Sequence, residues 1–261
     1  MSESEIVIEA DDKIPTIEEV ELEAHDRDTG HKAVVDKSTM DTICVVPKDN
    51  YIIQHKHVLE ELRKLDNFKI NNILLSKAGA RMEVELREIE PNKIELLPDD
   101  FLECGAKVYN DYSIPRGLSV SGFGMRLVCS NGMVAPKVSR KMAVYAYGTN
   151  EFSTELLDQL NACFAIWQDP IVLETIKEAA ETEVSVKDII IEHDFLPGKY
   201  MKDVVDKLKD KASLYDIYNA FTEVITHTIA PNIKSEAATG LLRRANKIIM
   251  PQLKVTIPEA K

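Results

Sequence analysis

Apolar and polar residues trade places at every second position through much of the first half of the chain. In ARMEVELREI (80–89), Met82, Val84 and Leu86 alternate with Arg81, Glu83, Glu85 and Arg87. A period of two is the signature of a half-buried strand. Turn residues follow in EPNK (90–93), and IELL (94–97) resumes the apolar run. AKVYNDY (106–112) and LSVSGFGMRLVCS (118–130) predict two more strands, separated by SIPRG. Upstream, TICVV (42–46) and YIIQ (51–54) flank PKDN as an expected hairpin, and HVLEELRKL (57–65) follows as a short helix.

The second half changes period. EFSTELLDQLNACFAIW (151–167) places Leu156, Leu157, Leu160, Phe164 and Trp167 on one helical face. Asp169 and Pro170 then hold the favoured N-cap and first-turn positions of a helix through IVLETIKEAAE. Pro197 and Gly198 interrupt the chain before KYMKDVVDKLKDK. SLYDIYNAFTEVITH (213–227) predicts a helix capped by Ser213, with Leu214, Ile217, Phe221 and Val224 as its apolar stripe and Pro231 as its stop. Its Tyr215, Tyr218 and Asn219 read as core residues with satisfied polar tips. A last helix is expected over SEAATGLLRRANKIIM (235–250). Strands first and helices later mean an α+β fold, an antiparallel sheet with the helical half packed on it.

Charge divides the chain further. Glu3, Glu5, Glu9, Asp11, Asp12, Glu18, Glu19, Glu21, Glu23, Asp26 and Asp28 crowd the first residues against only Lys13 and Arg27. So little apolar surface predicts a flexible acidic arm over residues 1–38. A β-rich core with its helix then covers 39–168, and a helical region 169–261. The formal net charge of −12 argues against a general DNA-coating protein, but not against one local anionic site. From Tyr112 to Asn150 there is no acid at all, while Arg116, Arg126, Lys137, Arg140 and Lys141 are basic. The first residues carry acids where a signal or transit peptide carries bases, and no apolar run is long enough to span a bilayer. The expected location is therefore cytoplasmic, the host cytoplasm if the protein is viral, with no membrane partner.

The candidate chemistry is sparse. Cys44, Cys104, Cys129 and Cys163 show no CxxC spacing and read as reduced, mostly buried thiols. His55 and His57 lie one residue apart, which marks a strand-to-helix junction rather than a metal site. Cys129 has no nearby histidine, and Arg126, three positions away in a strand, faces the other side. The residue reads as packing rather than as a nucleophile. Neither a P-loop nor a strand-to-helix GxGxxG occurs, so no cofactor and no metal is expected.

Basic and aromatic residues interleave instead. Tyr109, Tyr112, Phe123, Tyr145 and Tyr147 lie among Lys107, Arg116, Arg126, Lys137, Arg140 and Lys141. Single-stranded nucleic acid is held by cations along its phosphates and by rings stacked on its bases. The bland alternative is a sheet with a basic outer face whose tyrosines half-pack on the core.

Three blocks occur in a fixed order: YIIQHKHVLEEL, FLECGAKVYNDYSIPRGLSVSGFGMRLVCSNGM and SLYDIYNAFTEVITH. They resemble the phage/plasmid-like family catalogued as a domain of unknown function, with RLVCSNGM the most specific block. The resemblance implies a mobile-element protein acting in replication, recombination or element maintenance, and it brings no catalytic residues with it. At the level of fold there is also an analogy with phage single-strand annealing proteins, in which a hairpin-rich sheet and a helix frame a basic groove. The expectation is a non-enzymatic, homo-oligomeric protein that binds or anneals single-stranded DNA. Arg116, Arg126, Lys137, Arg140 and Lys141 would contact phosphate, and Tyr145 and Tyr147 would stack on bases. The alternative is a structural, assembly or interaction protein of a virus or mobile element.

Overall fold

A computed structural model describes residues 6–7, 13–25, 27–91, 93–114, 118–126, 132–141, 168–233 and 235–250, with scattered helical positions from Thr154 to Ala165. Its antiparallel strands fill the first half and its helices the second, an α+β fold. Strands β1 (Ile6–Val7), β2 (Ile17–Ala24), β3 (Arg27–Asp36), β4 (Thr42–Pro47), β5 (Phe68–Ser76) and β6 (Arg81–Glu88) come first. Strands β7 (Lys93–Leu97), β8 (Asp100–Asp111), β9 (Ser119–Arg126) and β10 (Gly132–Lys141) follow. The larger sheet has the order β1-β5-β6-β8-β9-β10, with β7 beside β8, and a separate sheet has the order β2-β3-β4.

From Ile17 on, the acidic segment does not follow the expectation of a flexible arm, while Glu3, Glu5, Glu9, Asp11 and Asp12 lie outside the described residues. Residues 17–36 form a β-hairpin in which Ile17 faces Asp36 and Ala24 faces Arg27. Its acids are partly neutralised: Lys32 bonds Glu19 at 2.6 Å, and Lys48 reaches Glu21 at 2.8 Å and Asp28 at 3.0 Å. Burial supplies the driving force, because Ile17, Val34 and Val46 pack with Ile52 and Tyr112 in one apolar cluster. Fully burying a Val or Ile side chain contributes about 1.5–3 kcal/mol.

The expected 42–54 hairpin is also corrected. β4 pairs with β3, Val34 opposite Cys44, while residues 51–54 form no strand. Ile52 and Ile53 are buried there without joining a ladder. Helix α1 (His55–Arg63) starts at once and turns His55, Val58, Leu59 and Leu62 inward, spaced for one helical face.

Compact contacts divide the chain into two units. The first comprises residues 1–90, 106–121 and 139–161; the second comprises 91–105, 122–138 and 162–261. In the second unit lie α2 (Pro170–Glu181), α3 (Val186–Glu192), α4 (Gly198–Val205), α5 (Leu214–Glu223) and α6 (Ser235–Ile249). A short antiparallel pair, β11 (Glu183–Ser185) with β12 (Lys211–Ser213), sits between them in sequence.

Both sequence-read caps are made. Asp169 accepts from the Ile171 N–H at 2.8 Å, and Ser213 Oγ accepts from the Asp216 N–H at 3.0 Å. After α5 the chain widens into a π-helical turn, Val224–Ile229, and ends in the 3-10 turn Ala230–Asn232 around Pro231. The α5 tyrosines do lie in the core with their hydroxyls engaged: Tyr215 donates to Asp100 at 2.8 Å and Tyr218 to Asn246 at 3.1 Å. No helix among the described residues is long and apolar enough to cross a membrane.

Candidate functional site

The acid-free segment folds into neighbouring strands. β10 ends the larger sheet and has β9 as its one strand neighbour among the described residues. Pro136 suits such a place, since a proline has no N–H to give to a ladder and is confined to sheet edges. Arg126 is the last residue of β9, and Lys137, Arg140 and Lys141 lie in the second half of β10. The fold thus puts four of the sequence-selected cations onto two adjacent strands. Arg116, Tyr145 and Tyr147 lie outside the described residues, as do Cys129 and Cys163.

Other members of the interleaved set are engaged within the protein. The Arg81 guanidinium sits over the Tyr109 ring, 4.9 Å from its centre. Lys107 bonds the Glu83 carboxylate at 2.5 Å. Burial opposes the charge on Lys107, yet Glu83, Tyr109 and Glu85 together raise its pKa. Tyr112 is a core residue. None of these three is open to stack on a base or track a phosphate.

A buried polar cluster in the first unit carries chemistry the sequence did not reveal. His55 has no exposed surface, and its ring stacks on Tyr112 with centres 4.0 Å apart and planes 13° from parallel. The Asn110 amide nitrogen donates to the Ile53 carbonyl at 2.7 Å and to His55 Nδ1 at 2.9 Å. An acceptor at Nδ1 leaves the proton on Nε2, which donates to the Gly79 carbonyl at 3.0 Å. The His55 N–H donates to the Tyr112 hydroxyl at 2.9 Å, and Asn50 donates to the Tyr112 carbonyl at 3.3 Å.

Electrostatics follow from this burial. Desolvation lowers the His55 pKa to about 4, against smaller upward pulls from the Gly79 carbonyl and Asp111. Burial and then the Asp111 charge push the Cys44 thiol up to about 11, and burial raises Tyr112 beyond its ordinary value. At neutral pH all three are uncharged. A neutral imidazole with both nitrogens bound to fixed partners and no exposed surface is a clamp, not a proton shuttle for a substrate.

The clamp holds a strained turn. Lys77, Ala78 and Gly79 have φ of 53°, 52° and 87°, a left-handed run that costs roughly 1–2 kcal/mol for each residue with a Cβ. It is fixed from several sides. Ala80 N–H donates to Lys77 O at 3.0 Å, Tyr112 N–H to Ala80 O at 2.8 Å, and Lys77 Nζ bonds Asp111 at 2.7 Å. Burial works against the Asp111 charge, but Lys77 and Ser113 together hold its pKa below the ordinary carboxylate value. Beside the turn lies a cleft of about 330 Å³, lined in part by Lys13, Pro15, Asp36, Thr42, Leu75 and Gly79. Its Asp36 carboxylate already accepts from the Ser38 N–H at 2.8 Å and hydroxyl at 2.7 Å.

Among the described residues no three His, Cys, Asp or Glu side chains gather to hold a metal ion. Cys104 is buried and Cys44 half-buried, and neither is joined in a disulfide among the described residues. Comparison of the chain with protein-family models, curated proteins and solved structures finds no match.

Proposed function

We propose that this is a mobile-element protein of the phage/plasmid type that binds or anneals single-stranded DNA through β9 and β10. The observation that carries the reading is the adjacency of Arg126 on β9 to a strand bearing Lys137, Arg140 and Lys141, within a segment free of carboxylates. Cations spaced along a strand match a phosphate backbone without demanding any base sequence. Arg116, Tyr145 and Tyr147 complete the proposed interface from flanking sequence.

Binding of this kind releases counterions. Each neutralised phosphate of a single strand contributes about 0.7 to the slope of log affinity against log salt. Removing Lys137, Arg140 and Lys141 together, each to Ala, is therefore expected to reduce that slope by about 2 and to weaken retention of all oligonucleotide sequences alike. Retention of a labelled oligonucleotide on filters across a salt series reads both effects. No retention at low salt, or a triple variant with the parent slope, overturns the proposal.

The second reading, a non-enzymatic assembly protein of the element, is favoured by the presence of two sheet edges with opposite charge. It predicts association of the chain with itself in the absence of nucleic acid.

A further inference from the structure

Helix α6 turns one side into the core and the other to solvent. Ala238, Ala245, Asn246, Ile248 and Ile249 are buried, whereas Arg243, Arg244 and Lys247 are exposed. At about 100° per residue the three cations lie opposite the buried stripe. Gly240 precedes them on the same face, so that the four residues have the i, i+3, i+4 and i+7 spacing of one helical side. No Asp or Glu stands three or four places from any of the three cations.

Two features of this face cost the helix stability. A cation in the last turn suits the helix dipole, which accounts for Lys247. Arg243 lies a turn earlier, where that effect has faded, and at four places from Lys247 the two like charges repel. The second feature is the glycine, the poorest helix former after proline. Gly240 has no left-handed backbone to adopt and no close neighbour to admit, since a Cβ there would meet nothing within 4 Å among the described residues.

Arg244 is held in place from below. Its guanidinium lies over the Phe195 ring, 4.8 Å from the centre, and that ring stacks on the buried Phe221 at 5.2 Å. A stacked guanidinium keeps the N–H groups of its edge for an anion. Neither Arg244 nor Lys247 makes an ion pair among the described residues, nor does the exposed Asp194 beside Phe195.

We propose that the face of α6 bearing Gly240, Arg243, Arg244 and Lys247 is a second surface for single-stranded nucleic acid. The cations track the phosphates, and the bare glycine lets an extended backbone lie close along the helix. This inference rests on the nucleic-acid reading and carries it beyond β9 and β10.

The test is filter retention of a labelled oligonucleotide by the full chain across a salt series. Arg243→Gln with Arg244→Gln and Lys247→Gln is expected to lower the salt slope by about 2, at about 0.7 for each phosphate. Over one decade of salt below about 1 M, that difference is about 100-fold in affinity. Removing equal charge from exposed positions elsewhere in the second unit, by Lys177→Gln, Lys187→Gln and Lys209→Gln, is expected to keep the wild-type slope. Gly240→Leu alters no charge and suits a helix better, so the thermal midpoint should hold or rise while retention weakens severalfold. Circular dichroism checks the fold. If the triple variant does not fold, Arg243→Gln with Lys247→Gln spares the Arg244 stack and is expected to lower the slope by about 1.4.

A wild-type slope in the α6 charge variants, an equal loss in the lysine control, or folded Gly240→Leu protein that binds like the parent overturns the proposal. Polyglutamate that displaces the oligonucleotide charge for charge overturns it too, in favour of an acidic protein partner. Absence of wild-type retention at low salt removes the nucleic-acid reading and this inference with it. Loss of slope on removing Lys137, Arg140 and Lys141, but not on removing the α6 cations, overturns this inference and leaves that reading standing.

Discussion

Acid should open the first unit through one imidazole. His55 is buried and neutral, with Nδ1 facing an amide N–H of Asn110 at 2.9 Å. A proton added there turns an acceptor into a donor opposite another donor, in a site without water-exposed surface. The folded-state pKa is depressed, to about 4 from an ordinary 6.5. The contribution of the neutral ring is therefore complete above pH 6.5 and is lost as pH falls from there through about 4. In that window the unfolded chain takes up a proton that the folded chain refuses. Integrated across the window, at 1.36 kcal/mol per pH interval, this amounts to about 3 kcal/mol.

Amide hydrogen exchange at Leu59 and Leu62, buried in α1, reports the opening free energy of this unit. After correction for intrinsic rates, wild-type protection is expected to fall by about 3 kcal/mol between about pH 7 and about pH 4. His55→Gln starts from lower protection but should lack that slope, while His57→Gln, at a half-buried position on the same helix, should keep it. Equal slopes in the wild type and His55→Gln would refute the reasoning.

Asn110→Ala removes both amide bonds and leaves the Ile53 carbonyl and His55 Nδ1 unsatisfied in the core. Each orphaned group costs about 1–3 kcal/mol, so urea unfolding should shift to markedly lower midpoints. Gly124→Ala would place its Cβ 2.7 Å from the Leu102 methyls. Leu102 is wholly buried and has little room to yield, so a loss of about 1–3 kcal/mol is expected in the same titration. An Ala variant as stable as the parent would show that Leu102 can rotate away.

Local signals in the sequence were well matched by the fold wherever both partners of an interaction lay close together. The β6 alternation, the Asp169-Pro170 start and the Ser213 cap are of this kind, because strand period and capping are settled within a few residues. The β2–β3 hairpin was obscured by its acids, although VELEA (20–24) alternates as clearly as β6 does. Charge density predicts disorder only when no apolar face accompanies it, and Val34 and Ile17 supply one. β5 carried no expectation, because Asn71-Asn72 breaks the alternation of FKINNILLS; the ladder has a register irregularity between Ile70 and Asn72. The basic segment was legible as a run without acids, but not that β10 would end a sheet. The His55 cluster was invisible for a different reason. Its partners lie 24, 55 and 57 positions away, and no local period encodes such a meeting.

The division of the chain into two units has a practical side. Each is assembled from three separate stretches, and β8, β9 and β10 give residues to both. No single cut releases either one as a continuous fragment, so truncation series will report damage to both rather than the limits of one. The same interleaving bars exchange of either unit as a cassette between genes. It also makes the order of synthesis a poor guide to the order of folding, because residues 1–90 must wait for residues 106–121 and 139–161 to emerge before their unit is whole.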